Sequence, residues 1–430
     1  MKKICRILEY GSLSEGKESR DCKSLPSHAF RELENYVLSV QSGESDVSKW
    51  LSLSVKRNIG KVISAKNYVG AIRLKDGTII EILPKIFTSD EEGEKQAEKI
   101  LGEILRVLKS ERCIIPRHSG VSAIGMDIFE VFIEMFIDEV ISITKRGLKG
   151  GYIPIEENSS FYRGKIKFTQ QIKFNCVHKE RCYIEYDDYN ANRPENRLLK
   201  AALLSLYRYS SSSKNRKNIK ILLNIFSPVE TSVNYSADFR RCSCDRNLNY
   251  YQNALLWSKM FLKGQSPTPI SSSKEAGTVA ILFPMEKLFE KYIEVLLRRE
   301  LNGGDYTVLA QKSEQVLFTE RGKNNGFMLC PDIIVKRKND ESIFIIDTKW
   351  KILDRLKRNY GISQADMYQM YAYQQKYKAE KVVLLYPKAD SSPSDQKIVF
   401  ESADGSSVSI QFVDLLDVKN SMKKIAFQFK

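Results

Sequence analysis

Two charged residues, Asp347 and Lys349, follow directly after a strongly apolar segment in the stretch IFIIDTK. Four consecutive apolar residues indicate a strand inside a sheet, where a charge is costly unless it is paired or binds a metal. Because side chains alternate along a strand, Asp347 and Lys349 project from the same face, about 7 Å apart along the backbone. A carboxylate and an ammonium group are therefore predicted side by side at the end of a buried strand.

A second aspartate, Asp332, opens the preceding strand candidate in the stretch PDIIV. A hairpin through the intervening KRKNDES would bring Asp332 beside Asp347. Two neighbouring carboxylates repel each other and one pKa rises, unless a hard divalent cation lies between them. Magnesium would neutralise the pair, and Lys349 would position a water and stabilise the charge that develops on a phosphate under attack. The three residues predict a metal-dependent phosphodiesterase site.

The spacing alone carries little information, because the same acidic-x-Lys triplet also begins at Glu15, Asp395 and Asp417. The context singles out Asp347: an upstream Pro-Asp at a strand-length interval, an apolar strand, and a helix before and after it. The alternative interpretation is structural, with a salt bridge between Asp347 and Lys349 and a turn capped by the upstream aspartate. Buried ion pairs seldom stabilise a protein overall, so we favour the chemical interpretation.

Residues 278–430 are predicted to form the domain that positions these side chains. The segment PMEKLFEKYIEVLLRREL has apolar residues at helical spacing, and QADMYQMYAYQQKY and KVVLLYP indicate a later helix and strand. Between them, strands are predicted around Ser313–Glu320, Cys330–Lys336 and Ser342–Trp350. This α-β-β-β-α-β order predicts a small mixed sheet flanked by helices, and the fold class of the chain is α/β.

Residues 1–270 are predicted to form an α+β region with a β-rich part and helices, which a boundary near residue 145 would divide into two subdomains. Val69–Ile86 indicates a hairpin around Asp76-Gly77. The segment YSSSSKNRKN, Tyr209–Asn218, is predicted to be an exposed polar loop. Gly264–Gly277 combines Ser, Pro and Gly without apolar periodicity and is the best candidate for an interdomain linker.

The composition limits the classes of partner and metal. The formal net charge is +15 over 430 residues, which favours an anionic partner such as nucleic acid, although a basic surface without a partner is the alternative. The eight cysteines form no CxxC pair and there are three histidines, so a metal site is expected to use oxygen ligands. No apolar run approaches the roughly 20 residues of a membrane span and no signal peptide is evident, so we expect a cytoplasmic protein without membrane contact.

Pro331-Asp332 followed by Asp347-Thr348-Lys349 resembles the PD-(D/E)xK nuclease superfamily. An ordered set of segments narrows the resemblance to McrC, the nuclease subunit of McrBC-type modification-dependent restriction systems. These segments are VGAIRLKDGTIIEILPKI, GKIKFTQQI, NRPENRLLKAALLSL, PMEKLFEKYI, PDIIV, IIDTKWK, ADMYQMYAY and KVVLLYP. The resemblance spans roughly residues 60–420. It implies a restriction-endonuclease-like C-terminal fold and an endonuclease activity on double-stranded DNA.

The resemblance also implies roles for individual residues. Asp332, Asp347 and the Thr348 carbonyl would bind Mg²⁺, with Mn²⁺ as a substitute, and Lys349 would be the catalytic lysine. Glu290 corresponds to an acid that related nucleases aim at the metal, with an exposed helix charge as the alternative.

Two residues of a predicted helix, Gln369 and Tyr373, resemble a pair that some relatives use to hold the active site and the DNA backbone. Asp366 lies on the same side of that helix by its spacing. Packing alone is the other interpretation of Tyr373. Four cations, Lys351, Arg355, Lys357 and Arg358, follow the active strand and are candidates for phosphate contacts or for a solvated charge run.

No GxxxxGK[ST] phosphate loop occurs, so this chain is not expected to hydrolyse nucleotides. The resemblance implies a partner that does so, a McrB-like AAA+ GTPase ring, docked and stimulated by residues 1–270. The basic region Arg146–Arg197 is a candidate contact surface.

Two other functions are compatible with parts of this pattern. A RecB-like nuclease with an iron–sulfur cluster is disfavoured, because no cysteine follows Cys330. The second rival is a DNA-binding adaptor that activates an AAA+ ring through an inactive nuclease fold. The intact set of Asp332, Asp347 and Lys349 argues against it.

Overall fold

The computed structural model describes residues 4–19, 22–41, 50–87, 90–112, 128–242, 246–262, 278–301, 305–320, 326–393 and 398–429. Within these ranges the chain forms eleven α-helices and nineteen strands in several mixed sheets, which confirms the α/β class.

The part of the chain before residue 263 carries ten strands and eight helices among the described residues. The strands are β1 Ile4–Leu8, β2 Ser12–Glu15, β3 Cys22–Leu25, β4 Leu51–Lys56, β5 Gly60–Ala65, β6 Tyr68–Arg73, β7 Ile79–Leu83, β8 Gly151–Ser159, β9 Lys165–Ile166 and β10 Cys182–Asn190. The helices are α1 Ser27–Gln41, α2 Glu91–Arg112, α3 Ile128–Arg146, α4 Phe168–Asn175, α5 Pro194–Tyr209, α6 Ser213–Ile225, α7 Tyr235–Arg241 and α8 Gln252–Leu262.

The part after residue 277 carries nine strands and three helices among the described residues. The strands are β11 Val279–Pro284, β12 Tyr306–Ala310, β13 Gln315–Thr319, β14 Gly326–Leu329, β15 Ile333–Arg337, β16 Ile343–Thr348, β17 Lys381–Pro387, β18 Ile398–Glu401 and β19 Ser407–Val413. The helices are α9 Met285–Glu300, α10 Gln364–Tyr377 and α11 Val418–Phe427.

Two four-stranded sheets begin the molecule, with strand orders β1-β7-β6-β11 and β3-β2-β5-β4. Strands β6 and β7 pair antiparallel, so the hairpin predicted around Asp76-Gly77 is confirmed. Gly77 has a φ of 87°, in the left-handed region that glycine adopts without strain. Strand β1 pairs parallel with β7, which brings the first residues of the chain into the same sheet.

The N-terminal and C-terminal parts share one hydrophobic core. Its buried members include Ile79 in β7, Phe132 in α3, Phe289 in α9 and Ile346 in β16. Strand β11 pairs antiparallel with β6, although the sequence assigned its residues to the C-terminal domain. The boundary at residue 278 stays a prediction, and the linker Gly264–Gly277 lies outside the described residues.

A separate three-stranded sheet with one helix, which we call the arm, comprises residues 151–190. Strands β8 and β10 pair antiparallel along nine residues each, and β9 and α4 lie against them. Strand β9 covers only Lys165–Ile166, because α4 begins at Phe168. The arm exposes large apolar side chains: Tyr152, Phe161, Tyr162, Phe168, Ile172, Phe174, Val177 and Tyr189. This much uncovered apolar surface on one element is typical of a protein contact surface.

The polar loop predicted at Tyr209–Asn218 is wrong from residue 213 onward, because helix α6 begins there. Ser212 caps this helix by accepting from the Asn215 backbone N–H. Buried Glu130 of α3 accepts hydrogen bonds from Ser210 Oγ at 2.7 Å and Asn215 Nδ2 at 2.9 Å. A carboxylate distant in sequence thus satisfies the polar groups that make this segment look like a loop.

Glu130→Ala is expected to lower the free energy of unfolding by about 3 kcal/mol, because it leaves buried donors without an acceptor. Burial acts to raise the pKa of Glu130, but hydrogen bonds from Ser210, Asn215 and Ser211 lower it. The stabilisation by Glu130 is therefore fully present at pH values above the ordinary pKa of glutamate. It is lost as the pH falls through the lowered pKa of Glu130 in the folded protein. Urea unfolding measures the loss of stability and its dependence on pH.

The control Glu134→Ala removes a more exposed ion pair with Lys214 and should cost less than about 1 kcal/mol. Equal costs for the two variants would contradict this account.

A six-stranded mixed sheet dominates the C-terminal part, in the order β12-β15-β16-β17-β19-β18. Strands β15 and β16 pair antiparallel, while β16 and β17 pair parallel across helix α10. Helices α9 and α11 pack on one side, and α10 packs on the other with a separate apolar cluster. The predicted small mixed sheet flanked by helices is confirmed. No helix in the described parts of the chain is long and apolar enough to cross a bilayer.

Candidate active site

Asp332 and Asp347 lie at neighbouring positions of two paired strands. The β15–β16 register matches Ile333 with Ile346, and continuing it by one residue places Asp332 opposite Asp347. Asp332 Oδ2 accepts hydrogen bonds from the Thr348 backbone N–H at 2.8 Å and from Thr348 Oγ1 at 2.9 Å. The hairpin predicted from the sequence therefore brings both carboxylates to the same end of the sheet.

Lys349 completes this group just beyond the end of β16. Its ammonium lies 2.8 Å from Asp347 Oδ2 and 3.6 Å from Asp366 Oδ1 on α10. Its backbone N–H donates to the Leu385 carbonyl of β17, which fixes the residue at the sheet edge. Burial acts to lower the pKa of Lys349, but the charges of Asp347 and Asp366 raise it. The Lys349 side chain therefore stays protonated.

The electrostatics of the two aspartates are unfavourable without a cation. Asp347 is 1% exposed, and burial followed by the charge of Asp332 raises its pKa to about 6. Burial also raises the pKa of Asp332, and the charge of Glu290 acts in the same direction. Asp347 Oδ2 is buried, and it is contacted by the Lys349 ammonium at 2.8 Å. A divalent cation with oxygen ligands fits this donor set, because it would relieve the repulsion between the carboxylates.

The protein side chains do not form a complete metal cage. No group of three or more His, Cys, Asp or Glu side chains with metal-binding geometry occurs among the described residues. Magnesium commonly binds through one or two carboxylates and keeps several waters or substrate oxygens. Two aspartates at an open strand end match that pattern.

Glu290 of α9 faces the same region and is 8% exposed, so the alternative of an exposed helix charge is wrong. Its Oε1 accepts from Gln311 Nε2 at 2.5 Å and its Oε2 from Lys287 at 2.8 Å. The backbone N–H of Gln311 donates to the Asp332 carbonyl at 3.0 Å. Gln311 thus links Glu290 to the strand that carries Asp332.

A cavity of about 370 Å³ adjoins Glu290. Its lining residues are Lys287, Glu290, Lys291, Glu294, Arg298, Ala310 and Gln311. Three cations from one face of α9 line this groove, although each is paired with an acid of the same helix. The groove therefore offers mixed polar contacts beside the carboxylates.

Gln369 and Tyr373 connect Lys349 to the backbone before Asp332. Gln369 Oε1 lies 3.4 Å from the Lys349 ammonium, and Gln369 Nε2 donates to the Tyr373 hydroxyl at 2.8 Å. The Tyr373 hydroxyl donates to the Cys330 carbonyl at 2.9 Å, and its ring is buried. Helix α10 thereby braces the site from the side opposite α9. The packing interpretation and the positioning interpretation of Tyr373 both agree with these contacts.

The four cations that follow the strand, Lys351, Arg355, Lys357 and Arg358, are exposed on the segment between β16 and α10. Lys351 Nζ donates to the Gly361 carbonyl at 2.6 Å. The contact of these four cations with phosphates stays a prediction.

A protein-family model described as "McrBC 5-methylcytosine restriction system component" matches residues 63–387. The chain belongs to this family. The matched range contains Asp332, Asp347, Lys349 and the whole arm, and it excludes the strands that precede residue 63.

Two comparisons agree with the McrBC assignment. The Escherichia coli K12 protein "Type IV methyl-directed restriction enzyme EcoKMcrBC" is 21% identical over 267 residues, which cover 59% of this chain and 75% of the relative. A chain in a refined half-complex from the tetradecameric assembly of Thermococcus gammatolerans McrB AAA+ hexamers with bound McrC matches with a TM-score of 0.63. That match has 17% identity and covers 100% of both chains, so it shows a shared fold.

The sequence did not indicate a role for Gln311 or Lys287, and it did not indicate the contact between Asp366 and Lys349. Gln311 follows β12 with a φ of 46°, a conformation that no local sequence pattern indicates. Asp366 was placed on the correct helix face, but its 3.6 Å approach to Lys349 depends on tertiary packing. In this McrBC family member, residues from α9, from α10, from the end of β12 and from the end of β16 therefore surround the aspartate pair.

Proposed function

We propose that this protein is the Mg²⁺-dependent DNA endonuclease subunit of a McrBC-type modification-dependent restriction system. The observation that carries the proposal is the convergence of Asp332, Asp347 and Lys349 at the end of β16. This set is the one expected for a PD-(D/E)xK nuclease, and membership of the McrBC family gives it a restriction context.

Asp332 and Asp347 would hold the Mg²⁺, with the Thr348 carbonyl as a further oxygen ligand and Mn²⁺ as a substitute. The bound ion would activate a water and polarise the scissile phosphate. Lys349 would hold a positive charge next to the phosphate, where charge accumulates during cleavage. Asp366 and Gln369 keep the ammonium in place, and Glu290 supports the Asp332 strand through Gln311.

A Mn²⁺ titration of the full chain tests the metal site without a partner. We expect calorimetry at pH 7.5 to show binding by the wild type and a loss of at least about 10-fold in affinity for Asp347→Asn. Binding should also weaken as the pH falls below about 6, the pKa of Asp347, because the protonated carboxyl is a poor ligand. The matched control is Asp340→Asn, an exposed aspartate in the turn of the same hairpin. Equal affinities for Asp347→Asn and the wild type would contradict the site.

We also propose that the protein docks on a McrB-like AAA+ ring and stimulates its GTP hydrolysis. The structural match is to a complex that contains McrB AAA+ hexamers and McrC. In this chain the arm supplies exposed aromatic and aliphatic side chains, and aromatic residues commonly anchor protein interfaces. The arm falls inside the region Arg146–Arg197 that the sequence favours as the contact surface.

The second candidate function is a non-catalytic DNA-binding adaptor that activates the ring. The formal charge of +15 and the exposed cations of the segment after β16 agree with either candidate. The raised pKa values of Asp332 and Asp347 favour the nuclease, because an adaptor has no use for a buried and a half-buried carboxylate in unfavourable contact. Cleavage of modified DNA by the protein and its partner distinguishes the two.

A further inference from the structure

Glu9 is a buried acid whose side chain reaches from the N-terminal sheet to the candidate active site. It follows β1, and its backbone N–H donates to the Leu83 carbonyl of β7 at 2.8 Å. Its Oε2 accepts from the Lys85 backbone N–H at 3.0 Å and from Trp350 Nε1 at 2.9 Å. Glu9 is 1% exposed, and its carboxylate is hydrogen-bonded to the backbone just after β7 on one side and to the indole on the other.

Trp350 is the residue directly after Lys349. Its ring packs against Phe289 of α9, with 5.2 Å between the ring centroids. Phe289 in turn precedes Glu290, whose carboxylate is linked through Gln311 to the Asp332 strand. The indole therefore lies between the strand end that carries Lys349 and the helix that carries Glu290.

The Glu9 side chain is unfavourable for stability by itself. Glu9 Oε1 is buried and has no hydrogen-bond partner among the described residues. Burial raises the pKa of Glu9 to about 7. A buried acid with one unsatisfied oxygen costs stability, and such a cost is often tolerated where a group positions a functional site.

We propose that Glu9 is a positioning residue for the cleavage centre, which it serves by holding the Trp350 indole and thereby the backbone next to Lys349. The inference rests on the proposed nuclease function. It also gives the residue that follows β1, which lies outside the family match, a part in cleavage, because Glu9 contacts Trp350 just beyond the end of β16. None of the hydrogen bonds that Glu9 makes among the described residues is to a candidate metal ligand.

Kinetics with the partner ring provide the first test. Glu9→Ala is expected to lower kcat for DNA cleavage about 10-fold to 100-fold with an unchanged KM for DNA, because a small misplacement of a catalytic group is costly. Trp350→Phe removes the N–H and keeps a ring, and it should have a similar effect. The double variant Glu9→Ala/Trp350→Phe should be no slower than the slower of the two single variants, because both substitutions remove the same hydrogen bond. Glu9→Gln keeps an oxygen acceptor and should restore kcat to within about 3-fold of the wild type.

Hydrogen exchange of the chain alone provides a second test that needs no cleavage. Glu9→Ala should speed exchange of the backbone amides between residues 344 and 353, and Glu9→Gln should not. Glu34→Ala serves as the control, because it removes an ion pair with Lys61 elsewhere in the N-terminal part.

Three results would overturn the positioning role: wild-type kcat in folded Glu9→Ala, additive losses in the double variant, or unchanged exchange in Glu9→Ala. If Glu9→Ala does not fold, the kcat and the amide exchange of Trp350→Phe and Glu9→Gln test the positioning role instead. Failure of the nuclease proposal is distinguishable, because it would appear either as no cleavage by the wild type or as cleavage that survives Asp347→Ala. The exchange result would still decide the Glu9–Trp350 contact in both cases.

Discussion

Lys349→Met is expected to lower the rate of DNA cleavage at least about 10³-fold, the largest effect of any single substitution that leaves the metal ligands intact. Methionine keeps the unbranched stem and removes the ammonium that lies 2.8 Å from Asp347. In the proposed nuclease, this cation would lie where negative charge develops on the phosphate. Since the same ammonium repels a metal ion, Mn²⁺ should bind the variant at least as tightly as the wild type.

Single-turnover cleavage at pH 8 measures this effect. This pH lies above the pKa of about 6 that Asp347 has in the wild type, and it is chosen because the loss of Lys349 removes a charge that lowers this pKa. Lys336→Met is the matched control, because Lys336 lies on the same sheet and pairs with Glu314 away from the site. A rate within 10-fold of the wild type for Lys349→Met would show that this lysine is not catalytic.

Replacing Phe168 and Ile172 of the arm by serine is expected to weaken binding to the AAA+ ring at least about 100-fold. The two side chains are four residues apart on α4, so they form one apolar face, and they are 74% and 70% exposed. Because both are exposed in the isolated chain, their loss should not affect folding. Stimulation of GTP hydrolysis should disappear with binding, while Mn²⁺ affinity stays unchanged.

Sedimentation of the mixed subunits measures ring binding directly. The control replaces Leu416 and Phe427 by serine, two exposed apolar side chains in the C-terminal part. The arm assignment fails if the control and the arm variant bind the ring equally well.

Local patterns were sufficient to predict the centre of the nuclease sheet. Asp332 and Asp347 face each other because a hairpin with alternating side chains leaves few registers that bury both apolar strands. The same reasoning predicted the hairpin at Asp76-Gly77, where the turn residues specify the conformation. In each example the information lies within about twenty residues of the chain.

Features that depend on distant contacts could not be predicted in this way. Helix α6 begins inside a polar Ser-rich segment because Glu130, about eighty positions earlier, satisfies its first residues. The pairing of β11 with β6 joins residues that an apparent linker separates. Trp350 meets Glu9 across 341 positions, and no periodicity or motif in either segment indicates that contact.

The most direct test of the central claim is cleavage of modified double-stranded DNA by the complete complex with Mg²⁺, comparing Asp347→Ala with the wild type. The account predicts that the wild type cleaves and that the variant does not, while it still binds the ring and stimulates its GTP hydrolysis. Cleavage by Asp347→Ala at the wild-type rate would contradict the assignment of the centre at Asp332, Asp347 and Lys349.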